Sequence, residues 1–136
     1  MKRILFDSDV IIDVMIQRQP FVSNSTLALD TATNPDIEAY LAAHAVTNIF
    51  YILRPKRGIP KTLEILDRLL QILNVAVVND SIIRSALKST MTDFEDAVTS
   101  EAAQVAGVEL IVTRNIKDYA SSPVPAVVPE TFLTML

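Results

Sequence analysis

Asp7 directly follows the apolar run Ile4-Leu5-Phe6 with Asp9 two residues on, Asp93 and Asp96 fall in the first turn of a helix expected after residue 92, and Asp118 stands three residues beyond Thr113-Arg114-Asn115. Carboxylates from stretches this far apart repel one another if folding gathers them, and a compensating cation is what makes such a gathering tolerable. The chain has no Cys, and its one imidazole is His44, so the donors on offer are hard oxygens. Hard oxygens suit Mg2+ or Mn2+. The chemistry this supports is metal-assisted displacement at phosphorus, in which an ion polarises the phosphate, lowers the pKa of a bound water and steadies the leaving oxygen.

For these acids to meet, particular elements must carry them. Ile4-Leu5-Phe6 is a short apolar run ended by an acid, as expected of a strand buried on both faces, and the dense apolar residues from Val10 to Ile16 predict a first helix. A second, weakly amphipathic helix is expected over Ser23–Thr33, a strand over residues 37–42, and a helix from His44 to Leu53 that Pro55 stops. Pro60 suits the first turn of a further helix, whose stripe is Leu63, Leu66, Leu69, Leu70 and Leu73. Val75–Val78 predicts a third strand, and Asp80 or Ser81 caps a helix through Lys88. Thr92-Asp93-Phe94-Glu95 has the form of a capping box opening a helix over Asp93–Ala106 that ends at Gly107. Leu110–Val112 and Ala126–Val128 complete four to five strands, and a short helix closes from Pro129. Strands alternating with helices predict an α/β fold of three layers, with a central parallel sheet between helices, formed as one domain over residues 1–136. In such a sheet ligands gather at the carboxyl ends of the strands, where these acids would lie.

Composition removes most other chemistry. Zero Cys excludes thiol catalysis, disulfides, Cys-ligated zinc and iron–sulfur clusters within the chain, and one His excludes a multi-histidine metal site. Gly58 and Gly107 are the only glycines, too few for a dinucleotide fingerprint or a phosphate-cradling loop. With 12 basic and 16 acidic residues the net charge is −4, so nucleic acid could be held only by a local basic patch or bridging cations. Asp7 interrupts the first apolar run too early for a signal peptide, and no stretch is long and uncharged enough to span a membrane, so a soluble cytoplasmic protein is expected.

Each acid also has a purely structural reading. Asp7 or Ser8 could cap the helix that follows, Asp93 and Asp96 are favoured by any helix N-terminus, and Asp118 could be a turn residue. His44 at a helix start reads as structural. Arg54, Lys56, Arg57 and Lys61 gather four of the twelve basic residues, read as a solvated loop between prolines ahead of an edge that binds a nucleic-acid backbone.

Four stretches together resemble the PIN-domain nucleases, in particular the VapC-type toxins of toxin–antitoxin pairs. They are Ile4–Val14, Val46–Leu53, Asp93–Val98 with the alanine-rich helix after it, and Ile111–Tyr119, in the family's order and over nearly the whole chain. The resemblance implies a three-layer α/β/α fold and a metal-dependent ribonuclease. Carried across by position, it makes Asp7 and Asp96 the ligands of Mg2+ or Mn2+, with Asp93 and Asp118 supporting them as catalytic acids. It further implies an RNA substrate, an antitoxin protein as partner and a homodimer. Arg114 beside the site is expected to grip phosphate, because a guanidinium matches two phosphate oxygens in one plane, with Lys117 assisting. Two positions depart from the family: Asn48 stands where a Glu is usual, and Asn115 where a fourth acid often follows the Thr-Arg pair. Both amides can still bind metal or substrate, without charge. The exchanges leave a second reading open, a PIN-like binding module of weakened activity. A third is a haloacid-dehalogenase-type phosphatase, with Asp7 as nucleophile and Asp9 as general acid, although the chain lacks a late acid pair after Thr113.

Overall fold

A computed structural model describes residues 2–136. Its centre is strand β1 (Lys2–Phe6), whose Ile4, Leu5 and Phe6 have no exposed surface, as a strand covered on both faces requires. Strands β2 (Ile37–Ala42), β3 (Asn74–Ala76), β4 (Leu110–Val112) and β5 (Ala126–Val127) join it in the order β3-β2-β1-β4-β5, every pair parallel. Among the described residues seven helices flank the sheet: α1 (Ser8–Met15), α2 (Val22–Asp30), α3 (Ala43–Arg57), α4 (Ile59–Ile72), α5 (Asp80–Leu87), α6 (Phe94–Val105) and α7 (Pro129–Thr134). The three-layer α/β/α architecture expected from the sequence is therefore present, with five parallel strands where four to five were expected.

The strand order places the site. The chain winds from β1 outward to β3 and then returns to the other side of β1 as β4, so the direction of winding reverses between β1 and β4. A crevice opens at the carboxyl ends of strands at such a reversal. Phe6 is in register with both Leu41 and Val112, which sets Asp7 and Thr113 beside each other just past the sheet and starts α3 next to them. The Asp7 amide donates to the Val112 carbonyl at 2.9 Å, extending the β1–β4 ladder one residue into the crevice.

Several boundaries differ from the sequence reading. Helix α1 begins at Ser8 and α2 ends at Asp30, followed by a 3-10 turn over Thr31–Thr33. Pro55 does not stop α3: it sits in the last turn, where the Tyr51 carbonyl it deprives of a partner belongs to an exposed residue. The helix stops at Gly58, whose φ of 78° suits glycine and whose amide closes on the Arg54 carbonyl at 2.9 Å. Arg54, Lys56, Arg57 and Lys61 are thus helical rather than a loop: Arg54 covers the Tyr51 ring at 5.3 Å and Arg57 donates to the Met15 carbonyl at 2.7 Å. Strand β3 covers 74–76 rather than 75–78, and Asn79 caps α5 in place of Asp80 or Ser81. Helix α6 is capped by Asp93, whose Oδ1 accepts from the Asp96 amide at 2.9 Å, one residue later than the Thr92 box.

Candidate active site

Asp7 leaves β1 in extended conformation and caps α1, its Oδ1 accepting from the Ser8 amide at 2.8 Å. Capping satisfies one oxygen and turns the other into the crevice, so the structural and functional readings of this residue hold together. That second oxygen, Oδ2, faces the Thr113 hydroxyl at 2.9 Å and the Tyr119 hydroxyl at 3.0 Å. Burial raises the Asp7 pKa despite these donors and the nearby His44.

Asp96, on the first turn of α6, reaches the same tyrosine. Its Oδ1 lies 3.2 Å from the Tyr119 hydroxyl. The structure therefore brings together the carboxylates of Asp7 and Asp96, 89 positions apart in the numbering and each less than a tenth exposed. Burial first, then the charges of Asp7 and Asp93, push the Asp96 carboxyl up to about 7. Asp118, half-buried in the 3-10 turn Ile116–Tyr119, adds its charge to Asp96 from the other side. Asp93 stays exposed as the α6 cap.

Asp9 extends the cluster. Its Oδ2 accepts from the Arg114 amide at 3.0 Å and lies 3.2 Å from the Thr113 hydroxyl, while its Oδ1 is buried without a partner among the described residues. Burial and the charge of Asp7 push the Asp9 carboxyl up to about 7. Asp9, Asp7 and Asp96 thus form a line bridged by the Thr113 and Tyr119 hydroxyls. Two hydroxyl protons serve three carboxylates, a deficit of donors that raised pKa values express.

Arg114 makes an ion pair that the sequence reading did not anticipate. Its Nε and Nη2 donate to the two oxygens of Asp13, at 2.5 and 3.1 Å, and its guanidinium lies 4.0 Å from the centre of the Phe21 ring. Asp13 has no exposed side-chain surface, so this fork neutralises a carboxylate inside the protein and gives Arg114 a structural role. Lys117 is the exposed cation of the same segment.

The two family departures also have definite places. Asn48 projects from α3, and its Nδ2 donates to Glu95 Oε1 on α6 at 3.1 Å. Asn115 is exposed, its amide donating to the Thr113 hydroxyl at 3.1 Å. His44, one turn before Asn48, has Nε2 at 3.1 Å from the Thr99 hydroxyl, and its buried Nδ1 has no partner among the described residues. Burial lowers its pKa, opposed by Asp7.

The donor set fits a hard divalent ion of one kind. Among the described residues no group of three or more His, Cys, Asp or Glu side chains stands together as a closed metal cage. Mg2+ needs none, because it keeps several waters and is held by one or two carboxylates together with substrate phosphate. Asp7 and Asp96, buried and brought together on the Tyr119 hydroxyl, are the two carboxylates that would supply that pair.

A model of the PIN domain family matches residues 3–117. The chain belongs to the PIN domain family. Solved structures similar to this PIN domain include a toxin–antitoxin complex from Klebsiella pneumoniae, 22% identical, covering 92% of this chain and 96% of that one with a TM-score of 0.70. VapBC-1 from nontypeable Haemophilus influenzae is 12% identical over 94% of this chain and 98% of that one, with a TM-score of 0.71. The VapC20 toxin of Mycobacterium tuberculosis, described as cleaving the sarcin–ricin loop, is 13% identical over 79% of this chain and 86% of that one, with a TM-score of 0.64. At these identities the likeness is one of fold. No curated protein matches the chain. The family resemblance drawn from the four sequence stretches is confirmed, and the phosphatase alternative falls with it.

Sequence reasoning missed three partners in this PIN domain. Tyr119 carried no pattern linking it to Asp7. Asp13 follows Asp9 by one helical turn, a spacing that puts both on one face of α1, but its partner Arg114 is 101 residues away. Glu95 was assigned to a capping box that the structure forms one residue later.

Proposed function

We propose that this PIN domain is a divalent-metal-dependent endoribonuclease, the toxin of a toxin–antitoxin pair. The observation that carries the reading is the meeting of Asp7 and Asp96 on one tyrosine hydroxyl at the β1–β4 reversal. Both carboxylates are buried and both are harder to ionise than an ordinary aspartate, so a cation is the natural third member.

In this reading Asp7 and Asp96 hold Mg2+ or Mn2+, which when bound supplies Lewis-acid polarisation of a phosphodiester and an acidified water. The chain's own groups do the rest. The Ser8 amide and the Thr113 hydroxyl fix the orientation of Asp7, and Tyr119 fixes Asp96 against it. Asp93 holds the first turn of α6 in place through the Asp96 amide, and Asp118 adds charge beside Asp96. Lys117 and Asn115, exposed beside the crevice, meet the RNA backbone.

The same reading includes an antitoxin protein and a homodimer. Two of the similar structures were solved as toxin–antitoxin assemblies. Met15, Leu29, Ile65, Arg68, Leu69 and Ile72 line a largely apolar cavity of about 320 Å3 suited to an apolar partner segment. Tyr51 and Leu63, each more than half exposed, offer surface for a second copy. No helix among the described residues is long and apolar enough to cross a membrane.

The test is calorimetric titration with Mg2+ and Mn2+ of the native protein and of Asp7→Asn, followed by RNA cleavage under the same conditions. Saturable binding and cleavage that both vanish in the variant support the nuclease. Metal binding unchanged by Asp7→Asn overturns it, and binding without cleavage of any RNA favours a PIN-like binding module.

A further inference from the structure

Glu95 has no part in the reading above, yet its place is specific. It lies on the first turn of α6 between the cap Asp93 and the candidate ligand Asp96, and its Oε1 accepts from Asn48 Nδ2 on α3 at 3.1 Å. A carboxylate can only accept, so Asn48 must present its amino group to Glu95. The amide oxygen of Asn48, its one atom able to bind a metal, is thereby turned away from the Glu95 carboxylate. Asn48 therefore acts as a donor that holds a carboxylate.

What it holds is an acid at the open side of the crevice. Glu95 is exposed, whereas Asp7 and Asp96 are buried, and the charges of Asp7 and Asp93 both reach it. Among the described residues only one of its two oxygens has a hydrogen-bond partner. The backbone beneath it is also fixed: the Glu95 carbonyl accepts from the Thr99 hydroxyl at 3.1 Å, and that hydroxyl also lies 3.1 Å from His44 Nε2 on α3. Two contacts between α3 and α6, Asn48 with Glu95 and His44 with Thr99, thus set the height and direction of one carboxylate beside the buried pair.

A site with two carboxylate ligands leaves most of the coordination of Mg2+ to water. Those waters are strong donors and require acceptors, and groups that accept from a metal's ligands govern affinity nearly as much as the ligands themselves. Resting on the metal-dependent reading of the site, we propose that Glu95 is the outer acceptor carboxylate of this centre and that Asn48 is its positioning residue. The negative charge that an amide at position 48 lacks is supplied from α6 and aimed from α3.

The experiment is calorimetric titration with Mn2+ of the full chain and of Glu95→Gln, Asn48→Ala and Asp7→Asn, with thermal unfolding of each in EDTA. Glu95→Gln keeps the size and the Asn48 hydrogen bond and removes only charge, so a tie between helices would survive it unchanged. The expected result is Mn2+ affinity lowered about tenfold in Glu95→Gln, with the metal-free Tm no lower than that of the native chain. Asn48→Ala is expected to lower affinity several-fold by releasing Glu95. Native affinity in Glu95→Gln, while Asp7→Asn no longer binds, overturns the role of Glu95 and leaves the metal site standing. Native affinity in Asn48→Ala alone overturns the positioning role. Native affinity in Asp7→Asn overturns the metal-site reading itself and this inference with it.

Discussion

The Tyr119 hydroxyl stands 3.0 Å from Asp7 Oδ2, joining the 3-10 turn after β4 to the residue that follows β1. The same oxygen is 3.2 Å from Asp96, and it has one proton to give. Its bond to Asp7 stabilises the ionised carboxylate, so its removal costs most where the carboxylates are charged. Tyr119→Phe is therefore expected to destabilise the metal-free protein by about 1–3 kcal/mol at pH 8 and by clearly less at pH 5. Urea unfolding at the two pH values measures this. An equal loss at both would show that the hydroxyl does not act on charged partners.

Stability of the metal-free protein should fall as pH rises. Asp9 and Asp96 both titrate near 7 in the folded state against 3.8 as the ordinary value, and Asp7 is raised as well. The folded chain thus binds these protons more tightly than the unfolded chain, and stability present at about pH 5 is lost as pH climbs through 7. His44 opposes this below its ordinary pKa of 6.5, because burial lowers its own value, but one imidazole is outweighed by three carboxyls. Thermal scans in EDTA should give a higher Tm at pH 5.5 than at pH 8. Saturating Mg2+ should narrow the difference by favouring the charged carboxylates. A Tm that rises with pH in EDTA would contradict the electrostatic account of the site.

Asp7→Asn should separate stability from function. Asparagine is as good a helix cap as aspartate: its Oδ1 still accepts from the Ser8 amide, and the amino group that replaces Oδ2 can donate to the Thr113 and Tyr119 hydroxyls, so the local structure survives. What disappears is a buried charge facing Asp9 and Asp96. The metal-free variant should be more stable than the native chain by about 1–2 kcal/mol at pH 8, a few degrees in Tm. Its Tm should no longer respond to Mg2+. Differential scanning calorimetry with and without the ion checks both halves, and a large destabilisation would show that capping was the dominant role of Asp7.

How far the sequence disclosed this arrangement depended on distance along the chain. Ile4-Leu5-Phe6 was legible as a buried strand because burial on both faces leaves an unbroken apolar run, and the acid after it marked the strand's carboxyl end. Once parallel winding was inferred, the neighbourhood of Asp7, Asp96 and Asp118 followed from topology alone. Side-chain pairs were not legible, since nothing local ties Asn48 to Glu95 or Asp13 to Arg114. The cap of α6 shows how fine the margin was. Thr92 with Glu95 and Asp93 with Asp96 satisfy the same spacing, and choosing the second leaves the Glu95 side chain free to meet Asn48.

Arg114 and Asp13 provide the sharpest contrast between a substrate contact and a structural one. Asp13 is wholly buried on α1, and the Arg114 fork supplies both its close ionic contacts, with Arg18 more distant at 3.7 Å. Arg114→Ala would strand a buried carboxylate, at a cost of about 3–5 kcal/mol. Because a buried ion pair gains little over well-packed apolar groups, Asp13→Leu combined with Arg114→Met should recover most of that loss, the methionine packing on Phe21 where the guanidinium now lies. Urea unfolding of the native chain, the single variant and the double variant tests the account. If Arg114 instead served substrate phosphate alone, Arg114→Ala would leave the unfolding midpoint unchanged and raise KM for RNA, whereas the fork seen here requires the midpoint to fall whether or not RNA is present.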